Sequence, residues 1–132
     1  MNQIRPFIIS FARVLIVLVF LLNGFGIINQ SFAVHEMIAR GVPAHLAPLL
    51  GRAGQAIEIL AGLGLASGMY PRISATALIA FLIPATLIAH SFWMAPGQLI
   101  QVQLINFLKN LSMIGGLMLI ASAYPGLKTQ EN

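Results

Sequence analysis

Four apolar stretches, each long enough to cross a bilayer as a helix, determine what this chain can fold into. About 20 residues of helix span the hydrocarbon core of a membrane. The stretches lie at about residues 11–34, 53–70, 73–94 and 104–124. A strand of a membrane β-barrel needs only about 10 residues of alternating pattern, and these stretches are longer and do not alternate. The sequence therefore predicts an all-α fold, a bundle of four transmembrane helices that forms one integral membrane domain over residues 1–132.

The scarcity of charge supports a membrane environment and excludes several classes of protein. Hydrophobic residues make up 58% of the chain and charged residues 8%, whereas soluble domains carry about 25% charged residues. The seven lysines and arginines are spread singly, so we expect no basic face for nucleic acid. The chain has no cysteine, which excludes a disulfide framework and a cysteine-ligated cluster. We predict no metal site and no resident cofactor.

The first stretch has two interpretations. Arg5 and Arg13 precede it, and Ser31-Phe32-Ala33 resembles the small-residue cleavage site of a signal peptide. Its uncharged part, however, runs over residues 14–34, which is longer than the roughly 7–15 residues of a usual signal-peptide core. A retained membrane helix is therefore the preferred interpretation, and cleavage is the alternative.

The positively charged residues predict the orientation, because cytoplasmic loops of membrane proteins carry an excess of them. With four spans, both termini lie on the same side. That side would hold Arg5, Arg13, Arg72 and Lys128, and the opposite side would hold Arg40 and Arg52. We therefore expect both termini in the cytoplasm.

Ionisable residues inside the predicted spans mark a candidate site. Glu58 lies six residues after Arg52, which is roughly 9 Å along a helix. His90 precedes Trp93 at the end of the third span, and Lys109 lies a similar distance inside the fourth. A lone charge that faces lipid costs about 2.5–3.5 kcal/mol near the membrane centre. We therefore expect Glu58 and Lys109 to pair inside the bundle, with His90 in the same layer.

Amide side chains extend this predicted cluster. Asn106, Lys109 and Asn110 are spaced i, i+3, i+4 and so share one helix face. The complete candidate site consists of Glu58, Lys109, His90, Asn110, Asn106 and Asn23. Interhelical hydrogen bonding without a further function is the alternative, and it is the preferred interpretation for Asn23, Gln55 and Thr86.

Several short motifs along the chain belong together. They are Arg13 at the entry to the first span, Asn23-Gly24, Glu58, His90-Ser91-Phe92-Trp93, and Ile105-Asn106-Phe107-Leu108-Lys109-Asn110 followed by Gly115-Gly116. Together they resemble the DoxX family of small bacterial four-span membrane proteins, over nearly the whole chain. The resemblance implies the bacterial cytoplasmic membrane. It also implies an association with quinones or membrane redox complexes, because the family is named after a subunit of a thiosulfate:quinone oxidoreductase.

The chain departs from the family pattern at one point. Family members often carry a lysine soon after the glycine of the first helix. Here the segment reads Gly24-Phe25-Gly26-Ile27-Ile28-Asn29, without a lysine. The positive charge that family members often have at this point is therefore absent from this chain.

Three functions remain open at this point. The first is an accessory or scaffold subunit, whose partners are the lipid bilayer and other membrane, periplasmic or cytoplasmic proteins. The second is a quinone-linked oxidoreductase subunit, in which Lys109 or Asn110 donates to a quinone carbonyl and His90 or Glu58 exchanges protons. No self-sufficient catalytic or redox centre is visible, so that function needs a redox partner. The third is a small transporter or proton pathway, which needs polar groups in both halves of the membrane.

Overall fold

Five α-helices make up the computed structural model, which describes residues 4–29 and 31–124. They are α1 (Ile4–Gly24), α2 (Ser31–Ala39), α3 (Ala47–Ser67), α4 (Pro71–Ala89) and α5 (Ile100–Ala123). Two 3₁₀ turns, Phe92–Met94 and Gly97–Leu99, connect α4 to α5. All helices except α2 are long and apolar enough to cross a membrane. The prediction of an all-α bundle with four spanning helices is confirmed. Lys128, which contributed to the predicted orientation, lies outside the described residues.

The first span differs from the predicted range of 11–34. Helix α1 begins at Ile4 and ends at Gly24, and α2 is a separate, shorter helix. After the end of α1 the chain turns at Gly26, whose φ of 74° lies in the left-handed region that glycine tolerates best. The side chain of Asn29 then accepts a hydrogen bond from the backbone N–H of Ser31, at the start of α2. A continuous apolar run therefore contains a turn.

The second span begins earlier than residue 53. Helix α3 already includes Pro48, which occupies its first turn. Proline is well tolerated there, because the first backbone N–H groups of a helix have no partner within it. Arg52 consequently lies within α3.

The four long helices pack in the order α1, α3, α4, α5, whereas α1 and α5 contact each other only sparsely. The bundle has one end that carries α2, which we call the α2 end, and an opposite end that carries the α3–α4 turn. Each long helix contributes one large side chain, completely buried, to a common apolar layer. These are Val17, Leu65, Leu78 and Leu117. This layer holds the bundle together between the two ends.

A close contact between α1 and α3 depends on small residues. A Cβ atom added to Gly24 would lie 3.1 Å from the carbonyl oxygen of Gln55, and one added to Gly62 would lie 2.7 Å from Leu21 Cδ2. Such small residues allow helix backbones to approach within a membrane. The same contact brings the last turn of α1 against the middle of α3.

Arg13 closes the end opposite α2. Its guanidinium donates to the hydroxyl of Tyr124 at 3.2 Å and to that of Ser10 at 3.1 Å. It also packs directly against Gly68, which ends α3 with a φ of 74°. One side chain therefore connects α1, the α3–α4 turn and the end of α5.

Candidate functional site

A cavity of about 480 Å³ lies at the α2 end of the bundle, and all five helices contribute to its wall. Most of the wall is apolar, including Phe20, Phe81 and Leu82. Polar side chains interrupt the apolar wall, and they are Asn23, Gln55, Glu58, His90 and Asn110. We call this space the Glu58 cavity. Four of the six predicted site residues line it.

Glu58 and Asn23 form the central polar contact of the cavity. The amide nitrogen of Asn23 donates to both carboxylate oxygens of Glu58, at 2.7 and 2.8 Å. Glu58 is only 3% exposed. The contact is made across the α1–α3 interface, because Gly24 lets the end of α1 approach α3 closely. Asn23, and not the predicted Lys109, therefore provides hydrogen bonds to the buried carboxylate of Glu58.

A second polar contact joins α4 to α5. The amide of Asn110 donates to the hydroxyl of Thr86 at 2.9 Å. That hydroxyl in turn donates to the carbonyl of Leu82, one turn earlier in α4, at 2.6 Å. The chain of donors leaves the side-chain oxygen of Asn110 as an acceptor at the cavity wall.

His90 forms the boundary of the cavity at the end of α4. Its Nδ1 lies 2.9 Å from the side-chain oxygen of Gln103 on α5. Because an amide oxygen can only accept, Nδ1 carries the hydrogen in this assignment. In this tautomer, Nε2 is a hydrogen-bond acceptor. The cavity thus has a carboxylate, an imidazole and three amides within its wall.

The predicted ion pair between Glu58 and Lys109 is not formed. Among residues 4–29 and 31–124 the structure has one ion pair, between Glu36 and Arg40, and Lys109 is exposed. The inward face of α5 follows Asn110 and the buried Leu117, and a neighbouring residue is rotated by about 100° around the helix. The i, i+3 spacing places Lys109 near that face, but the rotation carries its side chain outside the cavity.

Helical spacing from Gly116 shows on which side of α5 Lys109 lies. Gly116 faces α1, because a Cβ atom added to it would lie 3.0 Å from Ile16 Cδ1. Lys109 lies seven residues earlier, which is two helical turns away on the same side of α5. It therefore lies on the flank of α5 that faces α1, towards the α2 end. Asn106, the other predicted member that is not in the cavity wall, is half-buried.

The sequence did not indicate that α2 forms part of the wall. Ala33 and Met37 of α2 line the cavity, but both lie in or just after the apolar run that the sequence predicts as one span. Gln55 was predicted only to form interhelical hydrogen bonds, and it also lines the cavity. Within the described part of the chain, no three histidine, cysteine or acidic side chains are grouped as metal ligands.

This arrangement, with four apolar spanning helices around a partly polar cavity, defines a multi-pass integral membrane protein. The profile of the DoxX family matches residues 8–91, so the chain belongs to the DoxX family. It is also similar to the inner membrane protein YphA of Escherichia coli (strain K12), with 28% identity over 123 residues. That alignment covers 92% of this chain and 86% of YphA. No solved structure matches the chain significantly.

The family match covers α1 to α4 and ends before α5. It includes Asn23, Glu58 and His90, which line the cavity. The stretch over residues 105–110, with Lys109 and Asn110, lies beyond its end. The α1–α3 and α4 parts of the site therefore belong to the matched region, and the α5 part does not.

Proposed function

We propose that this protein is an accessory subunit of the bacterial cytoplasmic membrane that binds a lipophilic molecule with a hydrogen-bonding headgroup. One observation supports this proposal above all: the Glu58–Asn23 pair lies in the wall of an otherwise apolar cavity of about 480 Å³. Binding sites for small molecules usually have volumes of about 300–1,000 Å³ and combine apolar walls with a few polar groups. The cavity fits that description in size and in composition.

The polar groups favour a headgroup that donates hydrogen bonds. Glu58 accepts from Asn23, His90 offers Nε2, and Asn110 offers its side-chain oxygen. These acceptors suit the hydroxyl or amine of a ligand, and the amide of Gln55 suits a carbonyl. The apolar side chains of the wall suit the hydrophobic part of the same molecule.

The retention of lipophilic molecules tests this proposal. The full-length protein would be purified in nanodiscs, and organic extracts would be compared by mass spectrometry. We expect wild type to retain a specific lipophilic compound and Ala85→Phe to lose it, because Ala85 lines the cavity and a larger side chain would fill it. Glu58→Gln should lower retention, whereas Lys109→Met serves as the control, because Lys109 is an exposed charge of a spanning helix and does not line this cavity. Equal extracts from wild type and Ala85→Phe would contradict the proposal.

A quinol is the second candidate, favoured by the presence of Glu58 and His90 in one cavity wall. Oxidation of a quinol releases two protons and two electrons. Glu58 and His90 would accept the protons, and a partner redox protein would take the electrons. Titration with decylubiquinol, followed by the fluorescence of the single tryptophan, tests this candidate. We expect saturable quenching in wild type and an affinity about tenfold lower in Glu58→Gln, which corresponds to the loss of one charge-assisted hydrogen bond.

A proton pathway across the whole membrane is not proposed. Beyond the cavity lies the apolar layer of Val17, Leu65, Leu78 and Leu117. A continuous pathway needs polar groups or water at that level, as intramembrane proton relays consist of ionisable side chains.

We also propose that both termini face the cytoplasm, so that the α2 end faces the periplasm. The distribution of arginines supports this orientation. The chain has no cysteine, so single cysteines can report it without a background. We expect Gln98→Cys, in an exposed loop of the α2 end, to react with a membrane-impermeant maleimide on intact spheroplasts. Met69→Cys, exposed in the α3–α4 turn, should react only after lysis, and the reverse result would invert the orientation.

A further inference from the structure

We propose that a second pocket, distinct from the Glu58 cavity, binds a zwitterionic phosphate–ammonium headgroup of a membrane phospholipid. This pocket has a volume of about 270 Å³ and lies at the α2 end, between the last turn of α2 and the segment that follows α4. Its polar lining residues are Glu36, Arg40, Ser91 and Gln103, and Met94 lies among them. We call it the Arg40 pocket.

Within residues 4–29 and 31–124, the acceptors that Arg40 contacts are weak or distant. Its Nη2 lies 3.4 Å from Glu36 Oε2, which is at the long limit of a hydrogen bond. Its Nη1 donates to the sulfur of Met94 at 2.7 Å, and a thioether is a weak acceptor. A guanidinium matches the geometry of a phosphate through two parallel hydrogen bonds. A phosphate oxygen would therefore be a much better partner for Nη1 than the sulfur.

Ser91 supplies an independent indication. The residue is 3% exposed and lines the pocket. Its hydroxyl is buried and has no hydrogen-bond partner among residues 4–29 and 31–124. Such a buried, unpaired hydroxyl is unfavourable and calls for an explanation. Gln103 adds an amide nitrogen, since its oxygen already contacts His90. Arg40, Ser91 and Gln103 thus bring three kinds of donor to one pocket, which suits the oxygens of a phosphate.

Glu36 determines that the headgroup is zwitterionic. Its carboxylate balances the charge of Arg40, so the pair has no net charge. The two side chains are 25% and 23% exposed, so both charges are accessible from the pocket. A purely anionic headgroup would be repelled by Glu36, whereas an ammonium group beside the phosphate would pair with it. Charge complementarity of this kind selects partners more than it adds affinity.

The level of the pocket in the membrane favours a lipid as the source of this headgroup. Trp93 is 55% exposed and contacts Phe92 and Phe107 edge to face, in the segment that also carries Ser91 and Met94. Tryptophan is enriched at the membrane–water interface, where lipid headgroups lie. The pocket therefore lies beside a tryptophan that is suited to the headgroup layer.

Native mass spectrometry of the full-length protein tests this proposal. The protein would be ejected from nanodiscs that contain equal amounts of phosphatidylethanolamine and phosphatidylglycerol. We expect wild type to retain phosphatidylethanolamine preferentially, and Arg40→Met to reduce that retention about tenfold, the loss of a charge-assisted hydrogen bond. Arg52→Met is the matched control, because Arg52 is an exposed arginine of the same end that lines neither cavity. Equal retention of both lipids by wild type, or unchanged retention in Arg40→Met, would overturn the proposal.

Two further variants separate binding from folding. Glu36→Gln should shift the preference towards phosphatidylglycerol, because the repulsion of an anionic headgroup is removed. Ser91→Ala should lower retention of phosphatidylethanolamine and leave the stability of the protein unchanged or higher. A Ser91→Ala protein that is less stable and retains the lipid like wild type would show a merely structural role, and would overturn the assignment of Ser91.

A soluble compound decides the source of the headgroup. In nanodiscs of phosphatidylglycerol alone, we expect no binding of millimolar O-phosphoethanolamine. Saturable binding that Arg40→Met abolishes would assign the pocket to a water-soluble zwitterion and would overturn the lipid assignment. Because Arg40 and Ser91 do not line the Glu58 cavity, these results do not depend on the proposed function of that cavity.

Discussion

Replacement of Asn23 by alanine should destabilise the protein, because it removes the donor to a buried acid. Asn23 donates to both oxygens of Glu58, and the structure shows no cation paired with that carboxylate among the described residues. Interhelical hydrogen bonds in membranes average about 0.6 kcal/mol and reach about 1.7 kcal/mol. Bonds to charged groups contribute about 1.5–3 kcal/mol. Since Glu58 would remain buried without its donor, we expect a loss of about 2 kcal/mol.

The free energy of unfolding can be measured by titration with sodium dodecyl sulfate. The fluorescence of Trp93 reports unfolding, because this single tryptophan packs edge to face against Phe92 and Phe107 at the α2 end. Asn106→Ala is the control, since Asn106 is also an asparagine of a long helix but does not line the cavity. We expect a clearly larger shift of the transition for Asn23→Ala than for this control.

A double-mutant cycle isolates the contact between the two side chains. Asn23→Ala, Glu58→Ala and the double variant would be compared with wild type. We expect the double variant to lose less stability than the sum of the single variants, by about 1.5 kcal/mol, because neither partner is then left unpaired. Additive losses, or a loss below about 0.5 kcal/mol in Asn23→Ala, would refute the reasoning.

Three further substitutions give distinct expectations in the same titration. Gly68→Ala should destabilise by about 1–2 kcal/mol or more, because its φ is 74° and the new Cβ would collide with the guanidinium of Arg13; an unchanged transition would contradict the described turn. Gly115→Ala should be neutral or stabilising by up to about 1 kcal/mol, because nothing lies within 4 Å of its added Cβ, and a clear loss would contradict that free face. Lys109→Met should change stability by less than about 0.5 kcal/mol, whereas an ion pair with Glu58 would make the loss several times larger.

The bundle and part of the site follow from properties that are local in sequence. The length of an apolar stretch is sufficient to predict a spanning helix, because the bilayer sets the length that is needed. Depth along a helix is also local, since each residue adds about 1.5 Å. That is why the sequence alone groups Glu58, Asn23, His90 and Asn110, and all four lie in one cavity wall.

Direction around a helix is harder to predict than depth. Lys109 and Asn110 are adjacent in sequence and lie at nearly the same depth, but only Asn110 lines the cavity. The difference is a rotation of about 100°, and it depends on how α5 packs against α4 and α1. A spacing pattern defines only a broad face of a helix. It could not predict whether a residue at the edge of that face, such as Lys109, points into the cavity or away from it.

The sequence did not predict α2 as a separate helix, and the reason is different. Residues 14–34 are uncharged and largely apolar, and hydrophobic length alone does not detect a turn within such a run. The turn depends on Gly26 and its positive φ, but a glycine inside an apolar run can equally be a packing residue within a helix. Part of the cavity wall, which α2 provides through Ala33 and Met37, could therefore not be predicted.

The polar contacts of this bundle lie at the α2 end, and the tightly packed apolar layer lies further along its axis. This separation follows from the physics of a membrane interior. Polar side chains within a membrane need partners, and at the α2 end the contacts Glu58–Asn23 and Asn110–Thr86 provide them. The same end contains the Glu58 cavity, whose wall lacks packing partners, so the helices have to be held together elsewhere. The apolar layer around Leu65 holds the helices together. At the end opposite α2, the guanidinium of Arg13 joins α1 to the α3–α4 turn and to the end of α5. Substitutions at the α2 end should therefore alter ligand binding at a moderate cost in stability, whereas substitutions in the apolar layer should unfold the protein.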